Sequence, residues 1–154
     1  MKKFKFQLET LLKVTRMKKE DAEVKFAEVS RRLEEQKEQL QLLINEMEQG
    51  QRNYETLSRE GTRVTVGRLM SLNRFFAWKR EQIEIQHGII LQTKGERQKK
   101  LKALMEVMTY LKSIEQLKEK RLREYNEQVM FEEQKFLDEL GLQLTMRARR
   151  ETAS

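Results

Sequence analysis

Residues 59–68, REGTRVTVGR, interrupt an otherwise continuous helical pattern and decide the fold. Gly61 and Gly67 lose the most backbone freedom in a helix, and Thr62, Val64, Thr65 and Val66 are β-branched, so this stretch resists helix formation. On its N-terminal side, positions 8, 12, 15, 19, 22, 26, 29, 33, 36, 40, 43, 47, 50, 54 and 57 keep a 3-4 spacing. Most are apolar; Thr15, Lys19, Gln36 and Gly50 are the exceptions, which makes a clear but soft coiled-coil seam. On the C-terminal side, periodicity resumes near Leu69 and runs to about Met146 without a proline. The reading is an all-α fold, a long antiparallel two-helix coiled-coil hairpin in one domain, residues 1–154. Helix 1 is expected at about 4–58, the turn at about 59–68, a longer helix 2 at about 69–146 and a flexible tail at 147–154.

Folding back about that turn pairs positions whose numbers sum to about 126, so Leu57 meets Leu69, Tyr54 meets Leu72, and Leu8 lies near Lys118. Helix 2 beyond residue 122 then overhangs by roughly 24 residues, about 36 Å at the α-helical rise. The overhang carries Leu122, Tyr125, Val129, Phe136, Leu140 and Leu144, an apolar stripe that calls for a partner. Leu101, Leu104, Met108 and Leu111 read as out of step with Ile83 and Ile90, which predicts a stutter near 93–101 beside the weakening Gly88 and Gly95.

Composition agrees with a rod of seams. With 38% hydrophobic and 37% charged residues, the chain can fill a helix seam but not a globular core. Acid-before-base pairs such as Glu9 with Lys13, Asp21 with Lys25, Glu28 with Arg32 and Glu48 with Arg52 add about 0.3 kcal/mol each to helix 1. The net charge of +7 is uneven: residues 1–19 hold seven basic groups against Glu9, and 94–123 hold ten against four. Both zones favour acidic partners.

Catalytic chemistry lacks its residues. There is no cysteine, His87 is the one histidine, and no glycine-rich phosphate loop occurs, so no enzyme, metal or cofactor is expected. The opening MKKFKFQLETLLKV has the lysines of a secretory leader, but Lys5, Gln7, Glu9 and Thr10 interrupt its apolar stretch. No leader is read there. No run approaches the ~18 apolar residues of a membrane span, so a soluble protein without direct membrane insertion is expected, and the lack of cysteine suits the cytoplasm.

The densest apolar stretch is Leu69 to Leu91, LMSLNRFFAWKREQIEIQHGIIL. Two stripes emerge about 100° apart: Phe75, Trp78, Ile85 and Ile89, and Phe76, Ile83, His87 and Ile90. Only one can face helix 1 fully, and the other becomes either a docking face or part of a thicker bundle. At the N-terminus, Phe4, Phe6, Leu8, Leu11 and Leu12 among Lys2, Lys3 and Lys5 read as the start of the seam, a docking end or a membrane-surface helix.

Three stretches together resemble the FliJ family of the bacterial flagellar type III export apparatus: F-x-F-x-L-x-x-L-L at Phe4 to Leu12, the aromatic and Gln86-His87 segment, and EEQKFLDEL. Gln134, Lys135, Asp138, Glu139, Met146 and Arg147 are the most specific part of the likeness. The resemblance implies a cytoplasmic, noncatalytic stalk associated with the flagellar base at the inner membrane, inserting into the hexameric ring of the flagellar export ATPase. It also implies contact with the cytoplasmic domain of the membrane export gate and escort of export chaperones. The family's gate-contacting positions fall on Phe76, Ile83, His87, Gln39 and Leu43; Arg80, Glu46 and Gly50 depart from its apolar and aromatic pattern. Ring contact is assigned by analogy to Phe136, Leu140, Arg147, Arg149 and Arg150.

Three alternatives share parts of this pattern. A stalk from a virulence type III secretion system has the same layout, although the opening FxFxL favours the flagellar version. A structural coiled coil would dimerise through the overhang or the spare stripe. A nucleic-acid binder would use the basic zones, but interleaved acids and the lack of a basic aromatic platform argue against nucleic acid as a partner.

Overall fold

A computed structural model describes residues 2–59 and 65–153, so the centre of the expected turn, with Gly61, Thr62 and Val64, lies outside the described residues. It consists of α1, Glu9–Arg59, and α2, Val66–Ala153. The two helices pack against each other as a helical hairpin whose second helix is the longer. Their contacts fall into two units, one of Glu20–Glu106 and one of Met1–Lys19 with Val107–Ser154.

In the Glu20–Glu106 unit, α1 buries the expected seam. Val29, Leu33 and Leu43 are buried, and Ala22, Phe26, Gln36, Leu40, Met47, Gly50 and Leu57 are half-buried; Tyr54 stands exposed. α2 answers with Leu72, Phe76, Lys79, Ile83, Gln86, Ile90, Thr93, Arg97, Leu101 and Leu104. Cross-helix bonds fix the antiparallel register. Lys79 pairs with Glu46, Arg32 with Glu96, and Gln86 Nε2 donates to the Gln36 carbonyl at 3.0 Å. Arg97 Nε donates to Ser30 Oγ at 3.1 Å while its guanidinium lies 4.9 Å from the Phe26 ring. These partners keep the pairing read from the sequence to within a few residues.

The expected stutter near 93–101 is absent. Ile90 and Leu104 are both buried and stand two whole heptads apart, with Thr93 and Arg97 filling the seam between them. Thr93 is tolerated there because its hydroxyl donates to the Ile89 carbonyl at 3.0 Å, and Arg97 sets its guanidinium over the Phe26 ring.

In the other unit, Phe6, Leu12, Leu111 and Ile114 form a core flanked by Phe4, Leu8, Leu11 and Leu117. Glu9 pairs with Lys118 at 2.9 Å and Arg16 with Glu115 at 3.7 Å, again antiparallel. Residues 4–8, expected to open helix 1, are non-helical. Their burial alternates instead: Phe4, Phe6 and Leu8 turn inward while Lys3, Lys5 and Gln7 turn out, and a turn at Gln7 and Leu8, in which the Glu9 N–H donates to the Phe6 carbonyl at 3.2 Å, leads into α1. This segment runs along α2, where Tyr125 donates its hydroxyl to the Lys2 carbonyl at 2.5 Å and packs its ring 5.6 Å from Phe4. Packing thus reaches Tyr125, and every residue of α2 from Met130 to Ala153 is exposed.

Both ends of α2 lie outside the expected limits. Thr65 caps its start, its hydroxyl accepting the Arg68 N–H at 3.3 Å, so the helix begins at Val66 inside the expected turn. At the other end no glycine or proline follows Gly141, and Arg147, Arg149 and Arg150 suit the negative end of the helix dipole. The helix therefore continues through residues 147–153, where a flexible tail is expected from the sequence.

Candidate functional site

Among the described residues, no group of three or more His, Cys, Asp or Glu residues is placed to hold a metal ion. A concavity lined by Phe4, Lys5, Phe6, Glu9 and Lys118 is open to solvent, and Lys118 pairs with Glu9 within it. The hydrogen bond from Lys118 holds the Glu9 carboxyl below its ordinary value. That carboxyl is a strut.

Surfaces for other proteins are a different matter. In the Glu20–Glu106 unit the residues expected at the gate contact do not share one face. Phe76 and Ile83 are half-buried and Leu43 is buried, all three in the seam, whereas Gln39 and His87 are exposed. The Arg32–Glu96 pair marks one flank of the helix pair. Gln39 follows Arg32 by one heptad and lies on that flank; His87 precedes Glu96 by about two and a half turns and lies on the opposite one.

Of the two stripes in α2, Phe76, Ile83 and Ile90 pack toward α1, and in the other Phe75 is half-buried while its remaining members face out. Trp78, Ile85 and Ile89 are 54%, 57% and 39% exposed. Ile89 precedes Glu96 by one heptad, so this stripe occupies the Gln39 flank, where Leu42 of α1 is also exposed. Lys79 explains the choice. It is buried in the seam beside Glu46, with its ammonium 4.9 Å from the Trp78 ring and 5.7 Å from Phe75. An aromatic on each side screens the lysine stem, and Trp78 remains outside as its cover. Gly50 makes room for the Phe75 and Phe76 rings: a Cβ there would lie 2.7 Å from Phe75 Cε1 and 3.4 Å from Phe76 Cε1.

In the other unit the residues expected at the ring contact all lie on the bare part of α2. Phe136 and Leu140 are exposed, as are Arg147, Arg149 and Arg150. Met130, Leu137 and Leu144 are exposed beside them. Six apolar side chains, Val129, Met130, Phe136, Leu137, Leu140 and Leu144, fall within an arc of about 120° at 100° per residue.

An exposed apolar end of α2, a core built on an FxFxL opening and an aromatic segment in mid-helix coincide with one family. A family model described as the flagellar FliJ protein matches residues 4–150. The chain belongs to the FliJ family. Membership makes it a component of the flagellar export apparatus, and FliJ proteins are non-enzymatic structural components of that apparatus. No curated protein and no solved structure matches the chain. No helix among the described residues is long and apolar enough to cross a membrane.

Proposed function

We propose that this FliJ-family protein is the central stalk of the flagellar export ATPase ring, in the cytoplasm at the flagellar base on the inner membrane. The observation that carries the reading is the end of α2, where Met130 to Ala153 is exposed although it bears Phe136, Leu137, Leu140 and Leu144. A bare amphipathic helix with a basic tip at Arg147, Arg149 and Arg150 suits insertion into a ring lined by complementary acidic and apolar groups. ATP hydrolysis then belongs to the ATPase, and the stalk transmits it to export.

Contact with the cytoplasmic domain of the export gate is assigned to the segment containing Phe76, Ile83, His87, Gln39 and Leu43. The exposed Trp78, Ile85 and Ile89 widen the surface this segment offers. Escort of export chaperones is part of the same reading, since amphipathic helical surfaces exposed along one chain suit exchange of partners. Affinity capture tests the assignment, comparing the parent with Phe76→Ala and with a truncation after Val129, which keeps Tyr125 on Lys2 and Phe4. Loss of the gate from the first and of the ATPase from the second is the expected result. Loss of both partners from either change would overturn the separation into two sites.

A further inference from the structure

One face of the bare segment of α2 is symmetric in spacing about Leu140. Its apolar face is interrupted by only two charged residues before the final turn, Glu133 and Arg147, of opposite sign and each one heptad from Leu140. Phe136 and Leu144 stand one step nearer on either side. The positions 133, 136, 140, 144 and 147 are spaced 3-4-4-3, a palindrome centred on Leu140. Charge divides about the same centre: Glu127, Glu132, Glu133, Asp138 and Glu139 against Lys135 lie before it, and Arg147, Arg149 and Arg150 against Glu151 after it.

From this self-complementarity we infer that the exposed end of α2 pairs with the same segment of a second copy, antiparallel, about a two-fold axis through Leu140. In that arrangement Leu140 meets its own counterpart, Phe136 packs on Leu144, and Glu133 faces Arg147 twice, once on each side of the axis. The interface is isologous, so it closes at two copies and does not propagate into filaments. The pairing spans residues 129–151, about 33 Å of helix, and covers the apolar side chains that are 40–69% exposed in the single chain at Met130, Phe136, Leu137, Leu140 and Leu144. A parallel pairing would instead set Glu133 against Glu133 and Arg147 against Arg147, and the charges reject it.

The pairing stands on the charge and apolar pattern alone, independent of the stalk reading. If that reading also holds, the dimer hides Phe136, Leu140 and Arg147 until the ATPase takes the second copy's place.

Sedimentation equilibrium on the full chain, from low micromolar to several hundred micromolar, tests the proposal. The expected result is a shift from 18.6 kDa toward twice that mass as concentration rises. Glu133→Arg and Arg147→Glu each set like charges opposite one another at both symmetric sites, and each is expected to weaken the dimer by about tenfold or more. The two changes combined restore opposite charges and should recover the parent's dissociation constant. All three alter exposed side chains, so circular dichroism should show unchanged helix. Because the chain has no cysteine, Leu140→Cys should cross-link into a disulfide dimer under mild oxidation, and Asp138→Cys, about 160° around the helix, should not. A monomer at every concentration would overturn the proposal. So would a dimer that the combined charge swap fails to restore, or cross-linking at Asp138 as ready as at Leu140.

Discussion

Lys79 offers the sharpest probe of the seam, because its two possible repairs move stability in opposite directions. The residue is 6% exposed in the seam, and its ammonium is held by a Glu46 carboxylate whose side chain is 55% exposed. Glu46→Gln keeps the shape but leaves a buried ammonium without its counter-charge. Breaking a fully buried pair costs about 3–5 kcal/mol, and because water reaches the Glu46 side the expected loss is about 1–2 kcal/mol. Lys79→Leu removes the buried charge and its desolvation. It forfeits a cation–π contact with Trp78 worth about 0.5–1 kcal/mol and should still gain about 1 kcal/mol, since an apolar residue in the seam needs no partner. Once Lys79 is gone, Glu46→Gln should cost close to nothing. Urea denaturation followed by far-ultraviolet circular dichroism on the parent, both single variants and the double variant gives the coupling energy directly. Equal losses from Glu46→Gln in both backgrounds, or a Lys79→Leu variant less stable than the parent, would refute the placement of this lysine in the seam. The lysine also carries a cost-for-specificity role: Lys79→Leu should loosen register while raising stability, as removal of a lone polar seam residue does in coiled coils.

Other expectations follow from the same geometry. Leu12 is fully buried against Phe6, Leu111 and Ile114, so Leu12→Ala should cost about 3 kcal/mol by urea denaturation. The hydrogen bond from Lys118 holds the Glu9 carboxyl below its ordinary 4.5, so the Glu9 contribution is present above that value and is lost as pH falls through the lowered one. The stabilities of the parent and Glu9→Gln should therefore differ near neutral pH and converge in acid. Trp78→Ala combined with Ile85→Ser should cost about the 0.5–1 kcal/mol of the Lys79 cation–π contact and no more, while weakening capture of the export gate; an unaltered gate affinity would remove this stripe from the docking surface.

The first helix was legible because its seam is mostly apolar at a constant spacing, and Tyr54 alone among the seam residues from Leu8 to Leu57 stands exposed. The second was harder to read because Lys79, Gln86, Thr93 and Arg97 occupy seam positions as polar residues that find cross-helix or local partners. Without those partners in view, Leu104 looked displaced from Ile90 although it lies in step with it. The same polar occupants hid which stripe packs, since Phe75 and Trp78 serve as walls for the Lys79 stem. At the N-terminus, Leu8 and Leu12 continue the heptads and masked a second period, the alternating burial of Phe4, Phe6 and Leu8 ahead of the helix. The ring-contact candidates were assigned by analogy to the overhanging end, and it is the overhang that was plain in the sequence. The palindrome about Leu140 was equally plain but became meaningful only when α2 proved helical through Ala153.

The stalk reading is tested most directly by adding the purified protein to the flagellar export ATPase and following ring formation and hydrolysis together. The full chain should promote both, and the truncation after Val129 should promote neither while keeping its helical hairpin. An ATPase that assembles and hydrolyses at the same rate with and without the full chain would contradict the account.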